Sequence, residues 1–536
     1  MITSRVTPIR LLLLLLLLLG VAPVATSHAD PEQQAAPVVE SLPDALAAIV
    51  AEAERDGGRV SFACIDLAGN WLAAHRATEA MIPASNQKLA TTATAAAALG
   101  HTFEFTTQLI ARGELQVTGE NGQHAKLAGD LLIIGSGDPT ISRRFDERDD
   151  SRGPFRRWAR HLHDTLGLRE ISGDIVCDGT CFDTEFIHPS WPRDQLLEWY
   201  EAPVAGLSLE DNTFRLIVTP RPDGTATLGS DPPCASALRL GGSVSSVAGR
   251  GNPAVWFSAA DSVASEFARE LRVGGKIPAA SAPYVTDVAV RDPLRWFGAV
   301  LLDTLREEGI TIGGTLRIAT TAQAIDDTMT PLYTERTPLA RAMTVCNQRS
   351  QNCYAEHLLK RLGATISGQP GSFANGSAVV QTWLQQQGVP ADEAQVTDGS
   401  GMSRDNRLSS RAIVTLLRAM TVGLDTTGQP LPIDADAGPN DEILSAAMFR
   451  QSLAEAGESG TLAKRLTDLR GKLTGKTGTL NGVDSLSGYL LLRDATGQPR
   501  PVCVSILANG VSGGHGRARG LIDELVRKLA RWLPSR

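Results

Sequence analysis

Residues 82–88 read Ile82-Pro83-Ala84-Ser85-Asn86-Gln87-Lys88 and lead into an Ala- and Leu-rich stretch that runs to Leu99 and stops at Gly100. Ala and Leu favour helix and Gly ends it, while Pro83 disfavours helical geometry at Ile82 and so helps to fix the start. A helix opening at Ser85 carries Lys88 one turn further on the same side. A Ser hydroxyl is a weak nucleophile until a base takes its proton. No His stands within several residues of Ser85, so Lys88 is the nearby candidate base. It can serve only if burial or a second cation lowers its pKa. The helix start adds backbone N–H groups and partial positive charge beside a reacting carbonyl. Taken alone, the pattern equally fits a helix-capping Ser followed by an exposed Lys.

Both flanks of this segment carry strands. A helical pattern over Pro43–Glu54 stops at Gly57-Gly58, and strand-like runs follow at Arg59–Ile65 and Trp71–His75. The far end mirrors them: Ser485–Arg493 and Val502–Asn509 read as strands joined around Asp494-Ala495-Thr496-Gly497. A final helix over Arg519–Trp532 sets Leu521, Ile522, Leu525, Leu529, Trp532 and Leu533 opposite Arg527, Lys528 and Arg531. Such a basic amphipathic helix can lie on a membrane, but covering a sheet is its commoner role. The two ends together predict one antiparallel sheet with helices, an α+β domain assembled from residues 30–113 and 327–536. Residues 114–326 differ in texture, with short strand-like runs and turn clusters interrupted by helical patterns at Pro154–Leu166 and Leu294–Glu308. They read as an inserted, mostly β module.

Composition narrows the function. Arg5 and Arg10, the apolar run Leu11–Leu19 and the small residues at Ser27-His28-Ala29 have the layout of a secretory signal. The run is shorter than the roughly 20 apolar residues of a spanning helix. Cleavage after Ala29 leaves 536 − 29 = 507 residues and moves the net charge from −8 to −10, a poor balance for nucleic-acid binding. No second long apolar run follows, so an exported product without an integral membrane segment is expected, in the periplasm or extracytoplasmic space. Of seven cysteines, Cys177 and Cys181 lie close enough to form a local bridge, whereas Cys64 and Cys503 sit in apolar strand-like runs and read as buried thiols. Cys346 and Cys353, seven apart, fall near one face if helical. No metal site or cofactor is indicated: the histidines include no His-Glu-x-x-His, and His161 and His163 read as a solvated face.

Two further motifs join the first, in order: Ser350-Gln351-Asn352 and Lys476-Thr477-Gly478-Thr479. The last follows Gly471-Lys472-Leu473-Thr474 in a strand-like context, where an extended peptide can pair its backbone. Gly478 removes a side chain from that surface, and Lys476 with the hydroxyls offers donors for a terminal carboxylate. Lys476 is also the candidate second cation for lowering the Lys88 pKa.

In combination the motifs resemble the Ser-x-x-Lys, Ser-x-Asn, Lys-Thr-Gly set of penicillin-binding proteins and serine β-lactamases, a set long used to define those enzymes. Their order and spacing are similar to the low-molecular-mass class C penicillin-binding proteins, the D-Ala-D-Ala carboxypeptidase/endopeptidases of peptidase family S13. Gly135-Ser136-Gly137-Asp138-Pro139-Thr140, Tyr200-Glu201-Ala202-Pro203 with Asn212, Asn352-x-x-Ala355-Glu356 and Asp398-Gly399-Ser400-Gly401-Met402-Ser403-Arg404 also look like that family's blocks. The resemblance implies a transpeptidase-like domain, an antiparallel five-stranded sheet flanked by helices, with two mostly β domains inserted in the 350 − 85 = 265-residue gap between the first two motifs. Compact β-lactamases lack such an insertion, so a β-lactamase or esterase on this scaffold is the alternative reading, and a non-catalytic wall-binding protein a third. The resemblance further implies peptidoglycan stem peptides as substrates and β-lactam antibiotics as covalent ligands. Ser85 would be the nucleophile and Lys88 its base; Ser350 relays a proton, Asn352 holds the peptide amide, and Lys476 with Thr477 binds the terminal carboxylate. The backbone amides of Ser85 and Thr479 would form the oxyanion hole, and Asp138 and Arg404 could hold the free end of a diaminopimelate side chain. Gln351 departs from the Asp often found at that position, outside the proton path.

Overall fold

The two ends of the chain meet in one sheet. A computed structural model describes residues 41–118, 124–233, 236–259, 270–431, 440–493 and 496–532; the expected leader, Cys234 and Leu533 lie outside them. Near the N-terminal end come helix α1 (Asp44–Glu54), strands β1 (Arg59–Asp66) and β2 (Trp71–His75) and helix α2 (Gln87–Leu99). From Pro338 onward come helices α3 (Leu339–Gln348), α4 (Asn352–Ser367), α5 (Phe373–Gln386), α6 (Ser410–Ala419) and α7 (Asp441–Gln451). Strands β3 (Ala454–Glu455), β4 (Leu473–Leu480), β5 (Val483–Arg493) and β6 (Pro499–Asn509) and helix α8 (Gly514–Arg531) follow. The strands run β3-β4-β5-β6-β1-β2, antiparallel throughout. The chain ends join at β1 and β6, in register from Arg59↔Asn509 to Asp66↔Val502. Five long strands match the expected sheet, and β3 adds a two-residue sixth at the edge beside β4.

One side of the sheet is closed by α1 and α8. Leu46, Ile49 and Val50 share a core with Phe62, Leu486, Leu490, Val504 and Ile506, and with Leu521, Ile522, Leu525, Val526 and Leu529 of α8. The apolar stripe of α8 is therefore spent on the sheet, and the helix starts at Gly514, more than a turn before the expected Arg519. On the other side α6 packs against β1, β5 and β6, and α2 is enclosed by α3, α4, α5, α6 and α7. Almost all of α2 is buried, so its polar groups must find partners inside. Thr92 and Thr94 donate to the Lys88 and Ala90 carbonyls, at 2.6 and 2.8 Å. Thr91 donates to the Gly399 carbonyl at 2.7 Å.

The second compact unit runs from Glu104 to Thr337, wider than the expected insertion. Strand Glu104–Thr118 pairs without interruption from Thr107↔Gly135 to Thr118↔His124, so a boundary at 113/114 would cut a continuous ladder. Strand Thr330–Pro338 belongs to the same seven-stranded sheet and moves the other boundary to 337/338. That sheet and two three-stranded sheets share one core containing Leu109, Phe155, Trp158, Leu216, Val273 and Phe297. Helical geometry expected over Pro154–Leu166 is α only from Gly153 to Arg160, then a π turn over His161–Thr165. His161 lies on the Tyr333 ring, 5.1 Å between centroids, so it is not simply a solvated residue. The two blocks around Pro203 and Asn212 meet through the Asn212 Nδ2 bond to the Pro203 carbonyl, 2.8 Å.

The cysteine expectations are corrected in part. Cys64 and Cys503 are buried thiols on β1 and β6, as read, but Cys177 and Cys181 form no bridge with each other. Cys177 faces helix Pro293–Glu307, where a Cβ at Gly298 would fall 2.9 Å from its Sγ, while the Cys181 thiol turns to the Gly206 carbonyl. Cys346 and Cys353 sit on different helices, α3 and α4, so they share no helical face.

Leu525, 1% exposed between α1 and the sheet, tests the packing of α8. Leu525→Ala should lower the unfolding free energy by about 2–5 kcal/mol, read as a drop in the urea midpoint; an unmoved midpoint would contradict this packing.

Candidate active site

Ser85 projects from a turn that is pinned on both sides. Ala84–Asn86 form one turn of 3-10 helix that runs into α2. Just before it, the Ile82 N–H donates to Asn509 Oδ1 and the Ile82 carbonyl accepts from Asn509 Nδ2, both at 3.1 Å. The Pro83 carbonyl accepts from the Ser485 hydroxyl at 2.9 Å. The buried Ala84 has φ +48°, a strained value for a side-chain-bearing residue. Gly401 makes room for it, because a Cβ there would lie 1.9 Å from the Ala84 carbonyl oxygen.

Lys88 has no exposed surface. Its Nζ donates to Ser85 Oγ at 3.0 Å, Asn352 Oδ1 at 2.7 Å and the Ser400 carbonyl at 2.7 Å. Two of these oxygens can only accept, whereas the hydroxyl can also give a proton. The same three partners therefore suit either an ammonium or a neutral amine holding the Ser85 proton. Burial lowers the Lys88 pKa to about 8, against the opposing pull of Cys346, Glu356 and Asp398.

Asn352 opens α4, and Glu356 follows one turn later on the same face. The Glu356 carboxylate accepts the N–H groups of Gly399 and Ser400, at 2.8 and 2.7 Å, and so holds the two peptides just before the carbonyl that faces Lys88. Burial, then nearby Asp398, raise the Glu356 pKa. Asp398 knits the same loop, taking the N–H groups of Gly401 at 2.7 Å and Ser403 at 2.6 Å. Glu356 and Asp398 entered the sequence reading only as parts of motif blocks. The anchoring role of Glu356 depends on distant backbone and had no local signal.

Ser350 has φ +59° and precedes the α4 cap Gln351. From β4 the buried Lys476 donates to Ser350 Oγ at 2.7 Å and to the Thr477 carbonyl at 2.6 Å. Burial, then the charge of Lys88, push its pKa well below the usual lysine range. Burial is the first cause of the lowered pKa at both amines, and at Lys476 the charge of Lys88 acts in the same sense. The Thr477 hydroxyl donates to Thr461 Oγ1 at 2.7 Å. Gly478 is where β4 passes the Ser85 backbone, since a Cβ would stand 2.9 Å from the Ser85 nitrogen and 2.3 Å from Ser485 Oγ. Thr479 is exposed beside Asp484, its partner across the β4–β5 ladder.

Ser85, Lys88, Ser350, Asn352 and Lys476 are thus linked through α2, α4 and β4. Thr477, Gly478 and Thr479 lie on the same strand. Arg404 is exposed and donates to the Asn481 carbonyl in the β4–β5 turn at 2.9 Å. Asp138 belongs to the inserted unit, where it is 2% exposed and caps a turn by accepting from Thr140 N and Oγ1, each at 2.8 Å.

With this geometry in place, comparison with known proteins is specific. The D-alanyl-D-alanine carboxypeptidase of Actinomadura sp. (strain R39) is 28% identical over 496 residues, covering 88% of this chain and 81% of that protein. The crystal structure of penicillin binding protein 4 from Haemophilus influenzae superimposes with a TM-score of 0.72 at 22% identity, over 91% of this chain and 98% of that one. The same protein complexed with a β-lactam gives 0.68 at 20% identity, over 91% and 99%. The fold is that of a penicillin-binding, β-lactamase-like domain carrying extra β structure. The D-Ala-D-Ala carboxypeptidase 3 (S13) family model matches residues 42–531, and the chain belongs to that family.

Gly478→Ala gives a direct test of the β4 contact. The added methyl should displace the strand from Ser85 and lower the rate of penicillin acylation about 100-fold, with little change in melting temperature. Acylation at the wild-type rate would show that the contact is unimportant.

Proposed function

We propose that the protein is an exported serine D,D-peptidase that removes the terminal D-alanine from peptidoglycan stem peptides through an acyl-enzyme on Ser85. The observation that carries this reading is the Lys88 amine, sealed from water, 3.0 Å from Ser85 Oγ and low in pKa.

Neutral Lys88 accepts the Ser85 proton as Oγ adds to the carbonyl carbon between the two D-alanines. Backbone N–H groups of Ser85 and Thr479 hold the oxyanion, and Gly478 allows these two segments to lie side by side. The C–N bond breaks as the departing amine takes a proton through the Ser350 hydroxyl, which Lys476 addresses at 2.7 Å. Asn352 aligns the peptide amide, and Lys476 with Thr477 receives the terminal carboxylate. Water, deprotonated by Lys88, then cleaves the ester and frees Ser85. The same step opens a crosslink when the leaving amine belongs to diaminopimelate, and this is the proposed endopeptidase activity. A β-lactam acylates Ser85 in the same way. Export rests on the leader-like sequence; no helix among the described residues is long and apolar enough to cross a membrane.

Mass spectrometry of penicillin-treated protein should find one long-lived adduct on Ser85, absent in Ser85→Ala, together with D-alanine release from a pentapeptide stem. A label that survives Ser85→Ala would overturn the assignment, and rapid penicillin turnover would favour a β-lactamase. The pH profile gives an independent check. Because the reactive form of Lys88 is neutral, acylation should rise about tenfold per pH unit in acid and level off near the lowered pKa of about 8. A rate that falls as pH rises towards that value would exclude Lys88 as the base.

A further inference from the structure

The distal end of β4 carries an ionic cluster that the proposed chemistry does not use. Asp484, with its side chain only 3% exposed, faces Thr479 across the hairpin. Its Oδ1 accepts from the Thr479 hydroxyl at 3.2 Å and from Arg519 Nε at 3.0 Å, and its Oδ2 is 2.7 Å from His515 Nδ1. Arg519 closes the ring by donating from Nη2 to Thr479 Oγ1 at 3.0 Å.

His515 and Arg519 are four residues apart at the start of α8, which has no acidic residue in its first turn. Arg519 has two of its five N–H groups engaged among the described residues, and its side chain is 46% exposed. The guanidinium is therefore fixed on one edge and open on the other. Its bond to Thr479 Oγ1 also occupies an acceptor site on that hydroxyl. The single Thr479 proton must then go either to Asp484, over a long 3.2 Å contact, or outward to an arriving acceptor.

Thr477 and Thr479 share a face of β4. A carboxylate that docks along these hydroxyls and Lys476 also meets in Arg519 a partly exposed cation further along the strand. We propose that Arg519 is a specificity-determining positioning residue that selects substrates with a free terminal carboxylate, by orienting the Thr479 hydroxyl and supplying positive charge at the strand edge. Asp484 sets the position of the guanidinium. This inference rests on the D,D-peptidase reading and refines it.

Two activated substrates separate the role from simple packing: an acyl-D-alanyl thioester of thioglycolate, which keeps the carboxylate, and its uncharged methyl ester. In the full-length protein, Arg519→Gln should lower kcat/KM for the acid about tenfold, mainly through KM, and change the ester less than twofold (~2). Arg519→Lys should recover part of the loss. Ester turnover doubles as the control for folding. Equal losses on both substrates would reduce the cluster to a structural clamp and overturn the inference, as would a wild-type rate on the acid. A wild-type protein that acylates with neither thioester overturns the D,D-peptidase reading together with this inference.

Discussion

The site depends on keeping an amine out of water. Lys88 is enclosed completely, and a buried amine without hydrogen-bonding partners would cost several kcal/mol. Its three acceptors come from the turn before α2, the first residue of α4 and the 398–406 loop. Each must be brought to within about 3 Å of Nζ. The sheet joining the two chain ends pins the first through Asn509 and Ser485, and the carboxylates of Asp398 and Glu356 pin the peptides at and before the third. Much of the architecture around α2 can be understood as meeting the needs of one nitrogen.

The second buried amine completes the logic. Lys476 is bonded to Ser350 and to the Thr477 carbonyl, and it feels the loss of water as well as the charge of Lys88. Two ammonium groups so close in a dry site are costly, and the pair favours losing a proton. Cys346, then Glu356 and Asp398, act in the opposite sense on Lys88 and hold its pKa near 8. Proton affinity is therefore set by a balance between burial and the groups around the amine, which suits the proposed role of taking and returning a proton.

The helices and strands at both ends were readable because their apolar periodicity is local: α2, β1, β2, β5 and β6 fall within a few residues of expectation. The three motifs were readable because each spans one turn or one strand segment. What the sequence hid has a common cause, dependence on partners far along the chain. The insertion boundary at 103/104 follows from strand pairing with His124–Gly135, and no composition shift marks it. That Cys177 and Cys181 do not bridge follows from the directions of their side chains, which their spacing does not encode. Asp138 stands in a motif block, yet its observed bonds are those of a turn cap.

Strain shows how tightly the arrangement is specified. In the sheet-bearing unit the described non-glycine residues with positive φ are Arg76, Ala84, Ser350 and Leu466. Two of these four are Ala84, beside Ser85, and Ser350 itself. Each such backbone costs about 1–3 kcal/mol and persists only where the surroundings over-determine it. At Ala84 the surroundings are visible: Gly401 leaves no room for a side chain, and Asn509 and Ser485 fix the preceding peptides. At Ser350 they are the Lys476 amine on one side and the start of α4 on the other. A relaxed turn at either position would carry its hydroxyl off the line from amine to substrate. In the proposed reaction, the strain is the cost of aiming two hydroxyls from different chain segments at a single peptide bond.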